Sequence, residues 1–305
     1  MFAVQHRPKF TLKRDAPIYT IGSCFAREVE NVLKATGIPL ALDGHGVPAE
    51  AFQSWDETSG TGGGVSRGQL SRGALNKYDV HAMSHDIRRV LLGEAYPDEG
   101  LIELSQDRWF DPHSSGLRPA PFEQAMANRR RIAAAAARIR AAEFTFITLG
   151  LTESWFDTET GLAMNVHPGA AALKKFGGRF RFVDHGFSEI AQEMHGLVKL
   201  IRDRANPGMR FLVTVSPVPL GSTFRRTDVV VSNTASKSVL RAVAEDLQRT
   251  YDFVDYFPSY EMVVNTPRQL AWLEDQLHVS SRMVRHVMEV FKKAYLPEHA
   301  EAAAA

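Results

Sequence analysis

Ser23 and Cys24 stand side by side in Tyr19-Thr20-Ile21-Gly22-Ser23-Cys24-Phe25-Ala26, where an apolar run gives way to a helical pattern. Cys24 is the chain's sole cysteine. The amide-rich start of a helix favours negative charge, so it can lower a thiol pKa and hold a developing oxyanion. Far downstream, Asp275-Gln276-Leu277-His278 offers a carboxylate and an imidazole close together. A nucleophile near one end of the chain and a carboxylate–imidazole pair near the other read together as an acyl-transfer site. Each half also has a plainer reading. A free cysteine commonly packs a buried turn, and Asp275 suits the cap of a following helix.

The chain has 305 residues, room for one large α/β domain or two small ones. With 44% hydrophobic and 23% charged residues it has the balance of a globular protein with a sizeable core. A formal net charge of +1 supplies no field to draw nucleic acid or an anionic membrane. One cysteine makes no internal disulfide, which fits a reducing compartment. The run Met1-Phe2-Ala3-Val4-Gln5-His6-Arg7-Pro8 lacks the apolar stretch of a signal peptide. No segment approaches the roughly 20 apolar residues that span a bilayer. The expected location is cytoplasmic, with neither membrane nor nucleic acid as a partner.

Five short apolar runs, 17–21, 38–42, 144–149, 210–215 and 252–256, read as buried strands. Their near-continuous apolarity suggests a parallel sheet covered on both faces. Helical patterns lie between them at 27–36, 124–142, 187–204, 235–249 and 281–295. Alternating strands and helices imply a doubly wound sheet with right-handed crossovers, whose ligands bind beyond the carboxyl ends of the strands. The polar words Gly22-Ser23-Cys24, Asp43-Gly44-His45-Gly46, Gly150-Leu151-Thr152-Glu153, Ser216-Pro217-Val218-Pro219 and Phe257-Pro258-Ser259-Tyr260-Glu261 each follow one of these runs. Residues 58–72, with Gly60, Gly62, Gly63, Gly64 and Gly68, read as a mobile lid or binding loop. The alanine run ending at Ala305 reads as a frayed tail.

These words resemble the GSCFA family, named for Gly22-Ser23-Cys24-Phe25-Ala26. The resemblance runs on through Thr148-Leu149-Gly150-Leu151-Thr152-Glu153-Ser154-Trp155, Thr214-Val215-Ser216-Pro217-Val218-Pro219-Leu220, Ser236-Lys237-Ser238-Val239-Leu240-Arg241, Tyr256-Phe257-Pro258-Ser259-Tyr260-Glu261 and Asp275-Gln276-Leu277-His278. It implies a branch of the SGNH/GDSL hydrolase-like superfamily, whose pattern opens Gly-Asp-Ser with serine as nucleophile. Laid on that pattern, Cys24 falls on the nucleophile and Ser23 on the aspartate, with Ser23 a rival should the turn shift by one residue. Asp275 and His278 match the Asp-x-x-His element, which implies His278 as general base and Asp275 as the group that fixes its tautomer. Gly150-Leu151-Thr152-Glu153 falls where the superfamily has Gly-x-Asn-Asp, so Thr152 replaces the oxyanion-binding asparagine. Backbone N–H at Cys24, with Gly73 or Asn76, would then carry more of that work, and Glu153 would hold a substrate hydroxyl or buttress His278.

The remaining motifs are weaker. Ser216-Pro217-Val218-Pro219 makes a rigid wall. Tyr260 suits a polar contact to a sugar or peptide. His81 and His85 have helical i,i+4 spacing but lack further ligands at metal-site spacing. Gly62-Gly63-Gly64 lacks the ending of a phosphate-binding loop. Arg129-Arg130-Arg131, with Arg138 and Arg140, reads as a solvated helix face. The expectation is a single SGNH-like domain over 1–305, a three-layer α/β/α fold with a parallel doubly wound sheet of about five strands and a loop-rich cap inserted at about 50–125. The expected activity is ester hydrolysis or acyl transfer through a covalent acyl-enzyme, on a glycan or related small molecule. Neither a cofactor nor a metal is implied, and acyl-CoA or another acyl donor would serve as co-substrate. The alternative is a non-catalytic module that holds a glycan or peptide in the same pocket.

Overall fold

The computed structural model describes residues 1–13, 15–42, 44–52 and 73–296. Asp43, the glycine-rich stretch 58–72 and the alanine tail lie outside the described residues. In chain order the elements are β1 (Ile18–Gly22), α1 (Cys24–Ala35), α2 (Val80–Leu92), β2 (Ile102–Ser105), β3 (Arg108–Phe110), α3 (Phe122–Ala136), β4 (Phe144–Leu149), β5 (Glu153–Asp157), β6 (Leu162–Met164), α4 (Gly169–Lys175), β7 (Phe180–Asp184), α5 (Phe187–Arg204), β8 (Arg210–Val215), α6 (Val229–Thr250), β9 (Val254–Tyr256), α7 (Ser259–Val264), α8 (Arg268–Ala271) and α9 (Ser281–Tyr295).

The central sheet is parallel throughout, in the order β1-β4-β8-β9. The stretch 38–42 is not a full strand. Only Leu40 pairs, as a parallel bridge to Ile18 beyond β1. Gly37 turns the chain out of α1 at φ 72, so a short apolar run follows the helix without the length to form a ladder. Counting that bridge, the order along the sheet reads 2-1-3-4-5, a doubly wound order whose switch point falls between β1 and β4.

Alternation along the strands supplies both faces of the sheet. Tyr19, Ile21, Ile147, Leu149, Phe211 and Val213 pack against α2, α5 and α6 through Met83, Ile87, Met194, Val198, Leu240 and Val243. Ile18, Phe144, Phe146 and Leu212 point the other way, onto Phe25, Val29 and Leu33 of α1 and Met283, Val287 and Phe291 of α9. The result is helices, sheet, helices in three layers. Helix α2 lies within the stretch expected as a cap, yet its apolar stripe is part of the first core layer. The arginine run divides. Arg129 is buried and pairs with Asp111 at 3.0 Å, while Arg130 is exposed. Arg140 donates to Val90 O and Leu91 O at the end of α2.

Two smaller sheets extend the frame. β5, β6 and β7 form an antiparallel sheet in the order β6-β5-β7, and β2 pairs with β3 in a hairpin. Among the described residues, no helix is long and apolar enough to cross a membrane.

Gly22 ends β1 at φ 147, and a Cβ there would lie 2.5 Å from Thr148 O. Both the left-handed backbone and the contact exclude a side chain. Gly22→Ala is expected to destabilise the fold by about 2–4 kcal/mol, measured by urea unfolding. A loss below about 1 kcal/mol would show that β1 and β4 do not press together so closely at this point.

Candidate active site

A cavity of about 370 Å³ opens at the carboxyl edge of the sheet. Its floor comes from the residues that follow β1 (Ser23, Cys24), β4 (Gly150, Leu151) and β8 (Ser216), and Val218, Pro219 and Leu220 continue one wall. This is the crevice where a doubly wound sheet offers its loops to a ligand. The opposite wall comes from the small antiparallel sheet, with Glu153, Ser154, Trp155, Met164 and Asn165, and from the loop that carries Phe224.

Ser23 is the N-cap residue of α1 in extended conformation, but its hydroxyl makes no cap bond. It donates instead to Ser216 Oγ at 3.2 Å. Cys24 opens the helix and is half-buried. Burial pushes its thiol above the ordinary value, whereas the Phe25 N–H and the Lys237 charge pull the other way. The helix start therefore acts on the sulfur as its position suggests, but desolvation outweighs it.

Lys237 belongs to the word Ser236-Lys237-Ser238, for which the sequence suggests no role. It is 1% exposed, and its Nζ donates to Gly150 O at 2.8 Å. Burial pushes its pKa down to about 7, and the charged neighbour acting against that shift is Cys24. The signal was in the helical spacing. Lys237 shares the buried stripe of α6 with Leu240, Ala244 and Leu247, where an unpaired lysine is out of place.

The segment before α2 crosses the floor. Lys77 N–H donates to Gly22 O at 2.8 Å, and Leu151 N–H donates to Tyr78 O at 2.9 Å. Gly150 allows that approach, since a Cβ there would sit 2.4 Å from Tyr78 O. Asp79 caps α2 by accepting from Ala82 N and also accepts from Ser154 Oγ at 2.8 Å. Burial raises its carboxyl to about 6. Glu153 accepts from the Thr223 hydroxyl and from Phe224 N, so it fixes the loop that brings Phe224 to the cavity. Phe224 stacks on His167 at 4.6 Å and meets Trp155 edge-on.

Asp275 and His278 form a close pair, Nδ1 to Oδ2 at 2.6 Å, and the second carboxylate oxygen accepts the backbone N–H groups of Leu277 and His278. These bonds hold Asp275 down to about 2. Both side chains are nearly half exposed, and neither lines the cavity that Ser23 and Cys24 line. They sit just ahead of α9, which packs beside α1. The structure thus pairs acid with imidazole, and the pair stands outside the lining of the cavity that holds Cys24.

Several other expected contacts fall elsewhere. The Thr152 hydroxyl donates to Asp184 Oδ1 at 3.1 Å and is outside the cavity lining, because the next residues enter β5 and carry it toward β7. Gly73, Asn76 and Tyr260 do not line the cavity either. Asn76 donates to the Tyr78 hydroxyl at 3.3 Å, and so reaches the site through Tyr78. Tyr260 packs against the core layer of α5 and α6. His81 stacks on His185 at 3.9 Å, and His85 Nδ1 accepts from Ala163 N, so the two imidazoles are engaged separately. Among the described residues, no group of three or more His, Cys, Asp or Glu could hold a metal ion.

The GSCFA family model matches residues 17–291. Comparison with curated proteins returns no match. Among solved structures, a family 3 carbohydrate esterase of Clostridium thermocellum is similar over 95% of this chain and 100% of its own, at 10% identity and a TM-score of 0.35.

The raised carboxyl of Asp79 has a measurable sign. Its folded pKa of about 6 lies above the ordinary 3.8, so protonation favours the fold and this group adds stability as pH falls through 6. Asp79→Asn keeps an oxygen for the cap and removes the titration. The stability difference, wild type minus variant, should be about 1 kcal/mol larger near pH 5 than near pH 7.5 in urea unfolding. A difference that stays constant across that window would mean the carboxyl is not raised.

Proposed function

Because the chain belongs to the GSCFA family, we propose that it transfers acyl groups, as an ester hydrolase or an acyltransferase, through a thioester on Cys24. One observation carries this reading. The sole cysteine stands at the first turn of α1, on the floor of a cavity at the sheet's switch point, where the Phe25 N–H favours its thiolate. A nucleophile there meets a bound carbonyl while the first amides of the helix face the oxyanion that forms.

The sulfur attacks the acyl carbon, the leaving oxygen departs protonated, and water or a bound hydroxyl then takes the acyl group from Cys24. The cavity wall favours an acyl group of some bulk, since Trp155, Met164, Val166, Val218, Leu220 and Phe224 surround the space beside the nucleophile. The acceptor or alcohol part, which we take to be a carbohydrate or related small molecule, would face Glu153, Asn165 and the exposed ring of Phe224. For His278 to move protons, the loop before α9 must carry the imidazole over the cavity mouth, with Asp275 travelling as its partner.

A non-catalytic module for the same class of ligand is the second reading, favoured by the exposure of His278 and by its place outside the cavity. A panel of activated esters, acylated sugars and acyl-CoA donors, followed by intact mass, separates the two. The acyl-transfer reading predicts an acyl adduct that Cys24→Ala abolishes, with turnover down by about 10³-fold or more. Ser23→Ala should retain turnover within about tenfold. His278→Ala should lower turnover about 10²–10⁴-fold with an unchanged melting temperature, because the side chain is exposed. Wild-type rates in the Cys24 variant would remove the sulfur from the reaction, and ligand binding without any adduct or turnover would favour the module.

A further inference from the structure

We propose that Phe224 limits the size of the acyl group admitted beside Cys24, with Glu153 as the positioning residue that holds the Phe224 loop across the cavity. The role rests on the reading of Cys24 as the atom that receives the acyl group, and adds the side chain that selects it.

The loop joins the two walls. The segment after β8 starts on the cavity floor at Ser216, continues along one wall through Val218 and Leu220, and brings Phe224 to the wall opposite. There the small antiparallel sheet takes hold of it. Glu153 and Asp184 stand opposite each other on β5 and β7. The Glu153 carboxylate accepts the Thr223 hydroxyl on one oxygen and the Phe224 N–H on the other, the latter at 3.2 Å. Arg225 Nε pairs with Asp184 Oδ2 at 3.2 Å. Thr223, Phe224 and Arg225 are thus bound in succession to one pair of cross-strand neighbours. Glu153 is 9% exposed and both its oxygens are engaged by the loop, so the carboxylate serves the loop before any substrate hydroxyl.

The ring is held as well as the backbone. Phe224 lies parallel to His167 at 4.6 Å, edge-on to Trp155 at 5.1 Å, and 5.7 Å from Phe182. His167 is itself fixed, since its Nδ1 accepts the Gly169 N–H at 3.0 Å. Trp155, His167 and Phe224 all line the cavity that Cys24 lines. A ring set among aromatic neighbours cannot swing away without giving up those contacts. It therefore acts as a wall of fixed position, and a group that overruns it meets a clash. Apolar pockets of this kind discriminate by about tenfold or more per methylene. The ring is nonetheless 47% exposed, so its removal opens the cavity and leaves the core layers in place.

Because Cys24 is the sole cysteine, intact mass reads its modification directly. Methyl, butyl and octyl methanethiosulfonates each place an alkylthio group on the sulfur. Their rates on the folded chain are divided by their rates on the urea-unfolded chain. On this scale the wild type should take butyl at least about tenfold faster than octyl. Phe224→Ala should narrow that gap to within about threefold, and Phe224→Leu should fall between. Glu153→Ala, which frees the loop, should narrow it too. Glu153→Gln, whose amide oxygen still accepts the Phe224 N–H, should restore most of it. An equal gap in the wild type and Phe224→Ala, or no labelling of the folded chain by any of these reagents, would overturn the role of the ring. A gap that Phe224→Ala narrows and Glu153→Ala leaves alone would remove Glu153 from the device. Should the Phe224 variants fail to melt cooperatively, a crystal structure of the butyl-labelled wild type decides. The alkyl chain should end within about 4 Å of the Phe224 ring, and a chain lying clear of it would refute the limit.

Acetyl, butyryl and octanoyl esters separate this limit from the reading beneath it, since their loading of Cys24 should favour the short chains in the same way. Loading that ignores chain length in both the wild type and Phe224→Ala would defeat the limit and leave acyl transfer standing. Labelling that obeys the limit while no acyl donor loads Cys24 would defeat acyl transfer and leave the limit on the thiol.

Discussion

The cavity depends on how closely the Asn76–Asp79 segment lies over the carboxyl ends of β1 and β4. Asn76 bridges to Gly22 and Asp79 to Leu151, so the segment is stitched to both strands at the switch point. Two glycines make this possible. A side chain on Gly22 would strike Thr148, and one on Gly150 would strike the Tyr78 carbonyl. Once the segment is laid down, its residues have little freedom. Tyr78 becomes a wall of the cavity, Asp79 starts α2, and Lys77 is driven inward to Asp86 and the His113 carbonyl. The Ser23–Cys24 turn and the first core layer are therefore fixed by one set of backbone contacts.

Buried charge follows two patterns in this molecule. Lys77, Arg129 and Arg179 each face a carboxylate, Asp86, Asp111 and Asp157 respectively, so their desolvation is offset by a partner. Arg129 holds Asp111 down to about 2 even though burial opposes it. These pairs tie α3 to the residue after the β2–β3 hairpin, join β5 to the start of β7, and hold the Asn76–Asp79 segment to α2. Lys237 is different, since its polar contact is a carbonyl and its charged neighbour is a thiol. The first pattern gives rigidity, and the second leaves a buried amine with no carboxylate beside it.

Much of the frame was legible in the sequence, because β-branched and aromatic runs such as 144–149 and 210–215 have no face to spare for water. The same signal misled at 38–42, where composition suggested a strand but the chain offers one residue to the ladder. β5 and β7 were missed because charged and aromatic residues interleave in them: Trp155 and Phe156 with Asp157, Phe180 and Phe182 with Arg181. That is the pattern of a half-buried sheet, and short runs of it resemble loop. At the site, the helix start at Cys24 was legible, and so was the pairing of Asp275 with His278 three residues on. The position of that pair was not, since spacing fixes a local contact but not the path of the loop bearing it. Thr152 shows the converse. Its hydroxyl was expected at an oxyanion, but its partner, Asp184, comes from β7, which the sequence had not announced.

What is asked of this architecture is that the sulfur at the start of α1 be the atom that receives an acyl group, inside the cavity between Trp155 and Leu220. The most direct measurement is a crystal structure of the wild-type chain after reaction with an activated ester. The account predicts continuous density from Cys24 Sγ into that cavity, with the carbonyl oxygen turned toward the first amides of α1. Density on Ser23 Oγ, or on His278 with the cavity empty, would contradict it.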